Sequence, residues 1–218
     1  MKNMLIIVSI MANAIFCNSI YSQIRYDNGG ILIESSSSSE YTIHGNKWNK
    51  QFVTYFFDNI TNDITHSESA KESIRTAFKT WQNITRLYFI EGCNINDADI
   101  VIRFASGNHG EGESFDGVNG VLAHAFFPPP NAGSLAGDVH FDDSETWSLL
   151  SQNSSSQPID LQTVALHEIG HSLGLAHSTV SGAVMYAYYG GTDRDLESDD
   201  INGIRTIYGS LLQELQVL

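Results

Sequence analysis

Apolar residues follow three rhythms along this chain, and each rhythm predicts a different kind of element. From Met4 to Phe16 they dominate a stretch of 13 residues. That is too short for a stable bilayer anchor, which takes about 20. Lys2 stands before it and the small polar tract Cys17–Gln23 behind it, the layout of a secretory signal peptide with cleavage expected after Ser22. From Gln51 to Phe57 apolar and polar residues alternate with aromatic enrichment, which suits a strand. Over Ser67–Gln82 the spacing changes: Ile74, Phe78 and Trp81 fall at i, i+4 and i+7, one face of an amphipathic helix.

Two more short runs, Arg86–Ile90 and Ile100–Phe104, read as strands, so the folded part opens β-α-β-β. Residues 105–148 are rich in Gly, Asp and His, with short strands expected at Val121–Ala125 and Val139–Phe141. Stretches of this length with little regular structure are usually functional or pinned by ligands. Helices are expected again at Leu161–Leu173 and Asp199–Tyr208; the Asp199-Asp200 pair suits the positive end of the second helix's dipole. The segment Gln23–Glu40, with Gly29-Gly30 and the serine run Ser35–Ser39, has the composition of a linker. Packing should therefore begin near Tyr41.

The richest chemistry lies in the helix at 161–173. Residues 167–177 read His-Glu-Ile-Gly-His-Ser-Leu-Gly-Leu-Ala-His. On a helix, positions i and i+4 share a face, so His167 and His171 can hold one metal ion. Gly174 can take the positive φ that ends a helix, and the returning chain brings His177 round as a third ligand. Three nitrogens leave the fourth zinc position open, the mark of a catalytic site. Glu168 is close enough to reach a water on that metal.

A second constellation lies in the long loop. His109, Glu111, His124 and His140 offer a complete N/O shell of four, which suits a structural zinc. Asp116, Asp142 and Glu145 add hard oxygen ligands, and the Gly117–Val121 turn can add carbonyls, a mixture that suits calcium. Six of the eight histidines thereby acquire metal roles, leaving His44 and His66. The bland alternative is an acidic surface loop that happens to carry histidines.

Composition narrows the rest. The formal net charge of −14 argues against a nucleic-acid partner, since phosphate binding needs a basic surface. Only two cysteines occur; Cys17 leaves with the leader, after a Phe16 too bulky for a usual lipoprotein signal, so Cys93 should stand alone. An exported domain without disulfides needs other staples, and bound metals can supply them.

From about Tyr41 to Gly209 the sequence resembles the matrixins, a metalloprotease family within the metzincins. The resemblance rests on the extended histidine motif, on Ser178 after its third histidine, on Ala183-Val-Met185-Tyr186, similar to a Met-turn, and on Leu196…Asp199-Asp-Ile-Asn-Gly-Ile204…Tyr208-Gly209. Gly45-Asn-Lys-Trp-Asn, Gly107-Asn-His-Gly and Ala125-Phe-Phe-Pro-Pro-Pro are similar to karilysin-type bacterial matrixins. The resemblance implies an α+β, zincin-like catalytic domain over 41–209: a twisted, mostly parallel five-stranded sheet with three helices. Around it would stand a signal peptide (1–22), a short propeptide (23–40) and a tail (210–218).

What the resemblance implies for function is a secreted, monomeric zinc endopeptidase acting on proteins or peptides, without nucleic acid or a transmembrane anchor. His167, His171 and His177 would hold catalytic zinc with Glu168 as base; His109, Glu111, His124 and His140 would hold structural zinc. Asp116, Asp142 and Glu145, with carbonyls of Gly117, Asn119 and Val121, would bind calcium. Leu122, Ala123, Thr163 and Tyr186 would contact substrate, with a hydrophobic residue preferred after the cut. Asp99 and Asp138 fall near positions used for a second calcium, although 128–136 is longer than usual.

Three departures stand out. Glu111 replaces the usual aspartate, Ala187 replaces the proline after Met-Tyr, and no latency cysteine occurs between Gln23 and Glu40. Arg25-Tyr26-Asp27-Asn28-Gly29 is similar to a short bacterial propeptide, and Asp27 would serve as the zinc-capping latch of the zymogen. With nine residues after Gly209, no accessory domain is expected. The rival readings are another metzincin class, astacin-like or serralysin-like, and a metal-stabilised binding module without activity.

Overall fold

The computed structural model describes residues 41–130, 132–150 and 154–210. The expected leader (1–22) and propeptide (23–40), with Cys17 and Asp27, therefore lie outside the described residues. So does the expected tail (210–218), apart from Ser210.

Strands β1 (Phe52–Phe57), β2 (Tyr88–Glu91), β3 (Ile100–Ala105), β4 (Ala123–Ala125) and β5 (Val139–Asp142) form one sheet in the order β2-β1-β3-β5-β4. All pairings are parallel except β4 with β5. A two-residue pairing of β6 (Trp147–Ser148) with β7 (Ile159–Asp160) stands apart. Three helices complete the fold: α1 (Ser67–Gln82), α2 (Leu161–Ser172) and α3 (Ser198–Tyr208). This is the expected mostly parallel five-stranded sheet with three helices.

Local chemistry accounts for the boundaries. Strand β1 buries Val53, Tyr55 and Phe57 on alternate positions, as a sheet with one face on the core requires. Helix α1 buries Ile74, Phe78 and Trp81 along the predicted face. The second strand starts two residues later than the pattern suggests, because the Thr85 hydroxyl takes the Leu87 N–H and only Tyr88 joins the ladder, through Gln51. Likewise Val121 and Leu122 precede the ladder of β4, although the Leu122 carbonyl still accepts from Asp142 N at 2.9 Å.

The core lies between the sheet and the crossing pair α1 and α2. Two indoles stitch it: Trp81 Nε1 donates to Leu166 O at 2.9 Å and Trp48 Nε1 to Ser172 O at 3.0 Å. Both rings are buried, so these donors are satisfied without water. In the full-length chain Cys93 is disulfide-bonded. The expectation of a lone Cys93 concerns the chain after loss of the leader, and Cys17 lies outside the described residues.

Candidate active site

Helix α2 is a short platform held at both ends. Asp160 caps it, its carboxylate accepting the Thr163 N–H at 2.9 Å. At the other end Gly174 takes φ +102° and donates to His171 O at 2.7 Å, while Leu175 N donates to Gly170 O at 3.1 Å. This double closure reverses the chain within two residues. Gly174 is also pressed on Asn46: a Cβ there would lie 2.4 Å from the Asn46 carbonyl oxygen. The returning strand is zipped to the start of the domain through His44 N→Gly174 O and Ala176 N→Thr42 O.

That reversal brings His177 to the two helical histidines. One ligand nitrogen from each of His167, His171 and His177 lies within 4.8 Å of the others. His167 Nδ1 donates to the Val184 carbonyl at 2.6 Å and His171 Nδ1 to the Leu175 carbonyl. A nitrogen that donates to a carbonyl carries the proton, so the Nε2 lone pair of each ring is left for a metal. Desolvation pushes the basicity of His167 down to about 4 and that of His171 well below the ordinary imidazole value, and lowers that of the more exposed His177 as well, so they are neutral as ligands must be. Three neutral nitrogens with one open side are a donor set that fits zinc.

Glu168 is buried beside them, and its Oε2 has no hydrogen-bond partner. Burial raises its pKa well above the ordinary carboxylate range. Glu168, His167 and His177 line a cleft of about 830 Å³, with His171 buried behind them. Leu122, Ala123, Thr163 and Tyr186, the four residues expected to meet substrate, all line it, as does Ala187.

The second group converges more tightly. His124 Nε2 lies 3.2 Å from His109 Nε2 and 3.3 Å from His140 Nδ1, and Glu111 Oε2 lies 2.7 Å from His140 Nδ1 and 3.5 Å from His109 Nε2. A tetrahedron with metal–nitrogen bonds of about 2.0 Å has edges of about 3.3 Å. The four atoms are thus spaced as corners around one small ion. Here His140 points Nδ1 inward, whereas His109 gives Nδ1 to Gly107 O and points Nε2 inward.

Asp116, Asp142 and Glu145 gather around the turn 116–121. Gly117 N donates to Asp142, Val121 N to Asp116, and Asn119 N to Glu145. A Cβ on Gly120 would sit 2.3 Å from an Asp116 carboxylate oxygen. Glu145 Oε1 is buried without a hydrogen-bond partner, and desolvation, helped by Asp142 and Asp116, raises its affinity for a proton. Among the described residues these three carboxylates do not close into an ion-sized group as the two histidine clusters do; the unsatisfied buried oxygen of Glu145 is the feature that suits a hard cation. Asp99 and Asp138 are committed elsewhere: Asp99 pairs with Lys50 and accepts Thr54 N, and Asp138 accepts Val101 N at 2.8 Å.

The matrixin family profile matches residues 47–209. The chain belongs to the matrixin family. It is similar to karilysin of Tannerella forsythia, 44% identical over 209 residues, 96% of this chain and 42% of that protein. It is also similar to the hatching enzyme of Paracentrotus lividus (47% over 166 residues, 75% of this chain and 26% of the relative). With human matrix metalloproteinase-16 it shares 43% over 178 residues, 78% of this chain and 28% of the relative. The chain spans less than half the length of these relatives. Matrixin membership implies zinc as the metal.

Beneath the histidines this matrixin has Met185, buried, with its sulfur against Gly170: a Cβ on Gly170 would come within 2.2 Å of Met185 Sδ and 2.9 Å of Trp81. The turn carrying Met185 is fixed from α3. Asp200 accepts Val184 N and Met185 N at 2.9 and 3.0 Å, and Ser178 Oγ donates to Asp199 at 2.6 Å. The outer wall of the cleft is anchored as well. Arg194 forks onto the buried Asp160 and donates to Leu149 O, Asp193 N donates to Thr163 Oγ1, and Tyr189 Oη accepts from Asp160 N. Sequence reading assigned Asp199-Asp200 only a helix-start role and missed Asp160, Arg194 and Tyr189. The one available signal was an Asp immediately before a predicted helix.

Proposed function

We propose that this chain is an exported zinc endopeptidase that cuts extended polypeptides and is made as a zymogen. The observation that carries the reading is Glu168: a buried carboxyl with an unpartnered oxygen, adjacent to three neutral imidazoles and lining an open cleft together with His167 and His177. Zinc, when bound by His167, His171 and His177, would supply Lewis acidity, activating water and polarising a carbonyl. Everything else falls to the chain. Glu168 takes the proton of the attacking water and passes it to the departing amine, and its raised proton affinity suits both roles. Val184 O and Leu175 O hold the rings in the required tautomer.

Substrate would lie along β4, the outer strand of the sheet next to the cleft, pairing by β-augmentation beside Leu122 and Ala123. The residue after the cut would enter between Thr163 and Tyr186, where neighbours such as Val164 and Val184 favour a hydrophobic side chain. In this reading His109, Glu111, His124 and His140 hold a second, structural zinc. Asp116, Asp142 and Glu145, with carbonyls of Gly117, Asn119 and Val121, hold calcium. Asp27 serves as the latch of the zymogen, and the mature protein acts as a monomer.

The decisive test is Glu168→Gln, assayed on fluorogenic peptides with zinc content measured in parallel. Zinc should be retained while turnover falls by about 10²–10⁴-fold, the usual contribution of a general acid–base. Undiminished cleavage would overturn the assignment, and wild type that binds peptide without cutting it would favour a binding module.

A further inference from the structure

Glu111 reaches the second cluster from a loop, whereas His124 and His140 project from paired strands. Its side chain has three rotatable bonds, and its backbone lies in a stretch without regular structure between β3 and β4. A ligand so supported needs an anchor if a single oxygen is to be held among three imidazoles. The structure supplies one. Arg103 Nη1 donates to Glu111 Oε1 at 3.2 Å, the oxygen turned away from the cluster, while Oε2 faces His140 Nδ1 at 2.7 Å.

Arg103 is itself fixed from three sides. It lies on β3, paired in register with His140 on β5, so the arginine and the ligand histidine issue from neighbouring strands at the same level. Its Nε donates to Asp58 Oδ2 at 2.9 Å, just beyond the end of β1. The guanidinium therefore spans two carboxylates, Asp58 at the sheet and Glu111 in the loop, in the fork geometry that a point-charge ammonium cannot reproduce. The Glu111 side chain is 9% exposed and that of Arg103 32%, so the pair is half-buried, with the carboxylate end shielded.

We infer that Arg103 is a positioning residue for the second metal centre, occupying one oxygen of Glu111 so that the other is presented to the ion alone. The inference rests on the reading of this cluster as a zinc site. It predicts that Arg103 governs how tightly one of two zinc ions is held, without touching any ligand nitrogen.

The test uses the full chain loaded with zinc. Zinc per chain is counted by elemental analysis, and release to a chromophoric chelator is followed in wild type, Arg103→Gln and Arg103→Lys. Wild type should hold two ions that leave in separable phases. In Arg103→Gln one ion should bind about 10–100-fold more weakly, the usual effect of losing a partner that orients a ligand, while the other phase stays unchanged. Arg103→Lys should shift in the same direction, which keeps the test open if the glutamine variant folds poorly. Cobalt substitution adds a spectroscopic check, since a displaced carboxylate changes the tetrahedral absorption bands of that site alone. Wild-type release kinetics in either folded variant would overturn the role of Arg103. A wild type that holds a single zinc would instead overturn the zinc reading of the cluster.

Discussion

Asp200 and His167 are joined through a single residue. The Asp200 carboxylate accepts the Val184 N–H at 2.9 Å, and the Val184 carbonyl accepts the His167 Nδ1 proton at 2.6 Å. The start of the last helix thus orients the first metal ligand, at the same time as it closes its own capping box with Glu197.

Removing that carboxylate should loosen the site from below. Asp200→Ala leaves the buried N–H groups of Val184 and Met185 without an acceptor and is expected to destabilise the zinc-loaded domain by about 2–4 kcal/mol. Zinc affinity should fall about tenfold or more. Asp200→Asn, which keeps one acceptor, should lie between. Urea denaturation together with chelator competition measures both.

Gly170 should tolerate no side chain. Its Cβ would meet Met185 Sδ and Trp81, and overpacking of a filled core costs about 1–3 kcal/mol. Thermal melts of Gly170→Ala should show that loss, and the penalty should shrink when Met185→Ala opens the space. An equal penalty in both backgrounds would mean that the two residues do not compete for one volume.

Freeing the cleft wall should change what the proposed enzyme accepts more than how fast it cuts. Arg194→Gln removes the fork onto Asp160 and the bond to Leu149 O, while leaving the histidines and Glu168 untouched. Profiling of cleaved peptide mixtures should show broader tolerance after the scissile bond. KM for the best substrates should rise several-fold at nearly constant kcat.

Acid should unfold the metal-free protein in a defined window. Burial lowers the proton affinity of His167, to about 4, and of His171 and His177 below the unfolded value near 6.5. Between pH 6.5 and 4 the unfolded chain takes up protons that the folded one refuses. Stability is therefore lost as pH falls through that range, by about 1.4 kcal/mol per pH unit for each of the His167 and His171 protons and less for the exposed His177. Glu168 offsets part of this loss, because it takes up its proton at higher pH in the folded chain than in the unfolded one. Melting temperatures of chelator-treated protein from pH 7 to 4 check the sign; a flat profile would contradict it.

Calcium should raise the melting temperature of the wild type. The effect should be much smaller in Glu145→Gln, because that carboxylate has an unsatisfied buried oxygen that an ion would satisfy. Titration followed by differential scanning calorimetry separates the two proteins.

Periodicity read the scaffold well because it reports burial: Ile74, Phe78 and Trp81 face the core as their spacing demands. The histidine spacing likewise placed His167, His171 and His177 together, since a helix and a glycine turn convert spacing into geometry. Reading failed where partners are distant in sequence and bear no period. Arg194 meets Asp160 across 34 positions and Asp200 meets Val184 across 16, contacts that only the folded chain creates. Strand ends slipped for a related reason, as the single Thr85 hydroxyl that delays β2 leaves no mark in the hydrophobic pattern.

One pairing carries a mechanical consequence. Strand β4 has only three residues, and it meets β5 with His124 directly opposite His140. An ion held by both histidines would rivet the outermost strand to its neighbour at the middle of that short overlap. The rim along which a peptide could be laid would then be as stiff as the interior of the sheet. Its brevity leaves little exposed ladder for another copy of the chain to seize. The second centre would thus let a strand too short to hold itself serve as a firm edge, so stripping its metal should soften the rail before it disturbs the anvil.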